Sequence, residues 1–255
     1  MIVVGVGIAW VFVERETIVS RIQELMRGGE SGENPRPEYA SSSEKAAAAA
    51  ARTKPVLEAD MKGLGLRLGD PIFIRIFKET NELEVWVEKP DRSEFELYSV
   101  YRICKRSGTL GPKRKPNDGQ APEGFYFMIH QNLDPASRNH LALDLGFPNQ
   151  FDRALGREGI ATIHGGCEAS SGFAMTDKVI EDLFTLAAVS LESPPNFFHV
   201  HCFPFRMTDA RMDQAVQENP SLINFWANLK EGFDYFEIVR RPPNTTLLDG
   251  VYVFE

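Results

Sequence analysis

The chain has 255 residues and a net charge of −8, from 28 Lys and Arg against 36 Asp and Glu, with 43% apolar residues. That length holds one large domain or two small ones, and the ordinary globular composition excludes a collagen-like, coiled-coil or wholly disordered protein. The acidic balance argues against a nucleic-acid binder, and the three cysteines, with no Cys-x-x-Cys pair, exclude a disulfide scaffold, a zinc ribbon and a thioredoxin-type site.

Residues 1–13 carry no charge and are almost wholly apolar. A helix needs ~20 residues to cross a bilayer core, but this run has the length of a signal-peptide apolar region. Two readings stand: an export signal or membrane anchor spanning 1–26, or a buried N-terminal element. Residues 27–56 are rich in Gly, Pro, Ser and Ala. Such residues bury too little apolar surface to offset chain entropy, so the segment reads as a tether. The folded domain is expected over 57–255.

Within it, 71–78 and 83–88 read as strands joined at Thr80-Asn81, with 95–104, 124–130, 141–145 and 159–164 as further strands. Ile180, Leu183, Phe184, Ala187 and Ala188 recur at helical spacing behind Asp177, the expected N-cap. Residues 197–204 return to strand, 209–217 and 221–230 read as helices, and 233–239 and 251–254 as closing strands. Strands first and helices late predict an α+β, β-rich sandwich domain with helical additions.

Three segments can carry chemistry. His164 ends a strand and opens the small-residue loop Gly165-Gly166-Cys167-Glu168-Ala169-Ser170-Ser171-Gly172, which leads into a helix. Backbone N–H groups there can hold an oxyanion, Cys167 and the serines are possible nucleophiles, and His164 is a possible base; a plain tight turn is the alternative. From Arg102 to Lys115 the basic residues Arg102, Lys105, Arg106, Lys113, Arg114 and Lys115 occur without an acid. This is either a patch for carboxylates or phosphates or a solvated loop. His199 and His201 share one face of a strand without further ligands nearby, which points to core or surface histidines rather than a metal.

Read in order, Ser-Gly-Thr-Leu-Gly-Pro-Lys (107–113), Pro-Glu-Gly-Phe-Tyr (122–126), Ile-His-Gly-Gly-Cys (163–167), Phe-Ala-Met-Thr-Asp (173–177) and Phe-Pro-Phe-Arg-Met-Thr (203–208) resemble the L,D-transpeptidase family. The likeness is to its YkuD-type catalytic domain, in the YafK-like branch, and covers residues 68–255. The resemblance implies a periplasmic or otherwise extracytoplasmic protein that uses no cofactor and acts on peptidoglycan stem peptides. Acyl transfer there runs through a cysteine thioester with a histidine base. It also implies a stem-peptide site formed by Lys113, Arg114, Tyr126, Gly165, Gly166 and Arg206, although Arg206 can equally pair with an acid of the fold. Peptidoglycan or an envelope protein would be the partner, with inner-membrane anchoring through the N-terminus.

One position departs from the family. The branch pattern runs His-Gly-x-Cys-x-Ser-x-Gly-Cys-Tyr/Phe-Ala-Met-Thr-Asp, and ungapped alignment puts Gly172 where the nucleophile belongs. The leading expectation is a pseudoenzyme that keeps the binding cleft. The alternative is an active transpeptidase or carboxypeptidase using Cys167 or Ser171 with His164 as base. Cys104 and Cys167 flank the implied cleft, and whether they form a disulfide is a matter of geometry.

Overall fold

The computed structural model describes residues 41–255 apart from Pro90, Arg92 and Ser93. The expected signal or anchor, and the first part of the expected tether, lie outside the described residues.

Residues 42–56 of the expected tether are not a tether. Helix α1 (Ser42–Gly63) opens on a capping box, in which Ser41 Oγ accepts the Glu44 N–H and the Glu44 carboxylate accepts the Ser41 N–H. Ala49, Thr53, Leu57 and Met61 recur every four residues and are buried, packing α1 on a second long helix, Asp177–Ser190. There Thr53 Oγ1 lies 2.7 Å from Thr185 Oγ1, and Arg52 pairs with Glu181 at 2.6 Å. The expected domain start at residue 57 is therefore too late. A stripe of Ala and Thr needs close approach rather than bulk to pack, which the alanine run concealed.

The first sheet holds β1 (Ile72–Phe77), β2 (Glu82–Lys89), β3 (Glu94–Arg102), β5 (Gly124–Met128) and β10 (Phe198–Phe203), in the order β3-β2-β1-β10-β5. β1 runs parallel to β10 at its centre, and both faces of β1 are buried. The second sheet holds β4 (Lys105–Arg106), β6 (Leu133–Asp134), β7 (Ala142–Asp144), β8 (Thr162–His164) and β9 (Phe173–Ala174), in the order β4-β9-β8-β7-β6. Ile72, Ile74 and Ile76 share one core with Leu143, Ile163 and Phe173 of the second sheet and with Leu141 just before β7. Ile180 and Leu183 of the long helix, α3, belong to the same core; the short α2 (Gln150–Ala154) precedes it in the chain. This is the expected α+β arrangement, two sheets against one core with helices added.

The other face of the first sheet is aromatic. Phe77, Phe125 and Phe203 meet Trp226 and Phe233 of α5 (Ile223–Val239). α4 (Asp209–Glu218) and the hairpin β11 (Thr245–Leu248) and β12 (Val251–Phe254) close this side. The strand expected at 233–239 is instead the second half of α5. Its β-favouring residues mask a helical repeat, Trp226, Leu229, Phe233 and Phe236, all buried. Gly232 makes the packing possible: a Cβ there would sit 2.5 Å from the Phe254 ring and 2.6 Å from that of Phe125.

A fully buried ion pair pins the loop between β4 and β5. Lys78 Nζ lies 3.0 Å from Glu123 and donates to the carbonyls of Gly111 at 2.7 Å and Ala121 at 3.0 Å. Glu123 accepts in turn from the Gly111 N–H at 2.6 Å and from Trp226 Nε1 at 2.8 Å. With every partner supplied from inside, the charges survive the loss of water.

Candidate active site

β8 ends at His164, which is buried, with Nδ1 2.8 Å from the carbonyl of Gly165. β9 pairs parallel to β8, His164 opposite Ala174, so the loop between them begins and ends at adjacent strands. The Gly166 N–H donates to Asp177 Oδ1 at 2.8 Å, the Gly165 N–H to the Leu141 carbonyl at 3.2 Å, and the Cys167 N–H to the Met175 carbonyl at 3.1 Å. Gly165 and Gly166 therefore do not offer free donors to an oxyanion; their N–H groups hold the loop to the fold. Gly165 also has no room for a side chain, since a Cβ would lie 2.6 Å from Asp177 Oδ1 and 2.8 Å from the Asn139 carbonyl. Thr176, not Asp177, caps α3, accepting the Val179 N–H. Asp177 is left to bind the loop.

Gly172 lies against β8. Its N–H donates to Ser107 Oγ at 3.0 Å and its carbonyl accepts the Ser107 N–H at 3.0 Å. A Cβ at this position would lie 2.1 Å from the Thr162 carbonyl oxygen and 2.8 Å from the Thr162 nitrogen. Both are backbone atoms, which cannot swing aside.

Cys167 is joined to Cys104 in a disulfide, so the expectation of Cys167 as a substitute nucleophile is corrected: its sulfur carries no thiol. Cys202 is the free cysteine and is buried; burial pushes its thiol pKa far up. Ser171 is half-buried, and among the described residues no hydrogen bond joins its hydroxyl to His164.

Ala169, Ser170 and Ser171 line a cleft of about 750 Å³. Lys105, Arg106 and Ser107 line it too, as do Lys113, Asn117 and Ile160. Arg106 is tethered by its own hydrogen bonds to the carbonyls of Lys78 and Gly108. Lys105 reaches Glu168 at 2.5 Å.

Other residues expected to bind substrate are used by the fold. Lys113 is among the residues lining the cleft, but it is 1% exposed and pairs with Asp118 at 2.7 Å. Burial alone would raise the Asp118 pKa. The backbone N–H of Arg114, the Lys113 ammonium and the N–H groups of Lys115 and Gln120 outweigh it and hold it at about 2. Asp118 thus organises the basic loop, leaving the Arg114 side chain exposed. Tyr126 lies in the core, its hydroxyl 3.1 Å from Asp152. Arg206 pairs with Glu82 at 2.8 Å and Glu84 at 2.7 Å and covers the Phe77 ring at 4.2 Å; it is the structural arginine of the two readings. His201 is buried among Phe73, Phe125 and Phe203 with neither ring nitrogen hydrogen-bonded. Among the described residues no cluster of three or more His, Cys, Asp or Glu is placed to hold a metal ion.

Sequence reasoning missed Ser107, which clamps Gly172, and the Lys78–Glu123 pair that fixes the cleft's basic loop. A carboxylate set between Pro122 and Gly124 was a visible signal for Glu123; nothing in the sequence pointed to Lys78.

Over 187 residues, 73% of this chain and 74% of the relative, it is 41% identical to "Putative L,D-transpeptidase YafK" of Escherichia coli (strain K12), and equally to its counterpart in Escherichia coli O157:H7. The chain belongs to the L,D-transpeptidase family. Among solved structures, a mutant of the helical cell shape determining protein Pgp2 from Campylobacter jejuni aligns at 14% identity over 69% of this chain and 71% of that one, with a TM-score of 0.43. Bd1075 of Bdellovibrio bacteriovorus aligns at 17% identity over 65% and 60%, with a TM-score of 0.37. No family model matches the chain. This L,D-transpeptidase homologue keeps the histidine-led loop and the two-sheet scaffold, while none of its three cysteines presents a thiol to the cleft.

Proposed function

We propose that this protein binds peptidoglycan stem peptides in the cell envelope and is a pseudoenzyme that forms no thioester. The observation that carries the reading is the state of its cysteines: Cys104 and Cys167 are bonded to each other and Cys202 is buried. A thioester needs a thiolate in the cleft beside a base, and the folded, oxidised chain has none to give. Gly172 supports the same conclusion, since Thr162 fills the space a side chain would need.

Binding is supported by the cleft that remains. Lys105 and Arg106 line it in a chain of net charge −8, and local positive charge in an acidic protein attracts carboxylates such as those of stem peptides. The disulfide fits an oxidising compartment outside the cytoplasm, where peptidoglycan lies. No helix among the described residues is long and apolar enough to cross a membrane; the apolar run at 1–13 would supply export or anchoring.

The test is intact-mass spectrometry of the purified full chain after incubation with muropeptides, with their masses followed in parallel. The expected result is saturable binding of tri- and tetrapeptide stems, no acyl adduct on the protein and no change in the muropeptides. An adduct on Ser171, or turnover lost in His164→Ala, would overturn the reading in favour of an active enzyme.

A further inference from the structure

The disulfide lies at the cleft rather than in the core. Cys104 is an exposed residue and Cys167 a half-buried one. Cys104 precedes β4, whose Lys105 and Arg106 line the cleft, and Cys167 lies two residues before the run Ala169, Ser170 and Ser171, which lines it too. The bond therefore ties two of the cleft's lining segments together. A weaker tie runs beside it, the exposed pair of Lys105 and Glu168 at 2.5 Å. Cys167 is held at φ +53°, a conformation uncommon for a residue with a side chain. Exposed disulfides of this kind are the labile and regulatory ones, whereas buried structural ones resist reduction.

The rest of the fold does not depend on this bond. β4 stays paired to β9, Lys105 opposite Ala174 and Arg106 opposite Phe173. Ser107 still clamps Gly172 through two hydrogen bonds. Opening the disulfide would leave both sheets in place and leave the loop 165–171 held only by the backbone hydrogen bonds of Gly165, Gly166 and Cys167.

We propose that the Cys104–Cys167 disulfide is a redox lock on the cleft, opened in the folded protein by a dithiol reductant. The proposal rests on the reading of the cleft as a stem-peptide site. A thiolate of the reductant attacks the sulfur of Cys104, the more exposed of the two, forming a mixed disulfide and releasing Cys167 as a thiolate that takes up a proton. Cys167 aligns with the earlier cysteine of the family loop and not with the nucleophile position at Gly172, so its release does not restore the acylating group. The second thiol of the reductant then attacks the mixed disulfide, closing the reductant's own disulfide and releasing Cys104, which is protonated in turn. Two electrons and two protons pass from the dithiol to the protein.

The experiment treats the full chain with dithiothreitol at neutral pH without denaturant, followed by iodoacetamide labelling and peptide mapping. Label is expected on Cys104 and Cys167 but not on buried Cys202, with a cooperative thermal transition retained. Hydrogen exchange over residues 165–171 should rise at least about ten-fold on reduction, and the Cys104→Ser/Cys167→Ser double variant should show the same rise. Stem-peptide affinity should differ several-fold between the two forms. A bond that yields only in denaturant, Cys202 labelled together with the pair, or unchanged loop exchange would overturn the lock, as would equal affinity in both forms. If neither form binds peptide, the stem-peptide reading fails, and loop exchange alone still decides whether the lock exists.

Discussion

Gly172 sets its α-carbon against the backbone of Thr162, with no gap for even a methyl group. Gly172→Cys is therefore expected to destabilise the protein by about 1–3 kcal/mol, the usual cost of forcing atoms into a packed site, and to yield no acyl-enzyme. Thermal denaturation and intact mass check both parts; a stable variant that acylates would show that the loop can re-form around a thiol. The histidines of β10 make a second prediction at this scale. Burial lowers the His199 pKa to about 4, and burial, then His199 and then Arg75, lower that of His201 well below its usual 6.5. The unfolded chain takes up these protons below about pH 6.5 while the folded one does not, so stability is lost as pH falls through that range, by up to ~1.4 kcal/mol per pH unit for each group. Asp182 works in the opposite direction, because burial raises its pKa to about 6 and the folded state binds its proton first. His201→Phe is expected to narrow the difference in urea midpoint between about pH 7.5 and about pH 5, with an unchanged difference counting against the buried imidazole as its source.

At the scale of elements, α1 and the Lys78–Glu123 pair carry the next tests. A chain starting at Leu57 loses Ala49, Thr53 and the Arg52–Glu181 pair from the contact of α1 with α3. It should melt well below a chain starting at Ser41; equal midpoints would mean the first half of α1 adds nothing. Lys78→Met leaves the Glu123 carboxylate buried without its counter-charge, which typically costs about 3–5 kcal/mol. The Lys78→Met/Glu123→Gln double variant should recover part of that loss, and a double-mutant cycle in urea reads the coupling. Elements were legible where one periodicity dominated. β1, β2, β10 and α3 follow from alternation or helical spacing to within a few residues. α5 was misread because Phe, Tyr, Ile and Val favour strands while their spacing buries a helical stripe. α1 was misread because an alanine run has no pattern until a neighbour gives it a side.

At the scale of the whole molecule, the family and the α+β scaffold were visible in motif order, because those motifs line successive strands and loops. The partners of the expected side chains were not. Lys113 lines the cleft as its segment suggests but pairs with Asp118, Tyr126 is buried against Asp152, and Arg206 pairs with Glu82 and Glu84. Charge and hydrogen-bonding capacity are written in the sequence, but direction comes only from packing, and acids of the fold recruited these groups first. The contact between Gly172 and Thr162 also bears on the history of the lineage. In ungapped register with the family pattern, Gly172 stands at the cysteine, Ser171 at the glycine before it and Phe173 at the aromatic after it. If the backbone at 172 admits only glycine, no single codon change at that position restores a nucleophile. Reversion would require a second change that moves the Thr162 backbone away from position 172. Loss of this kind is far harder to undo than a point substitution.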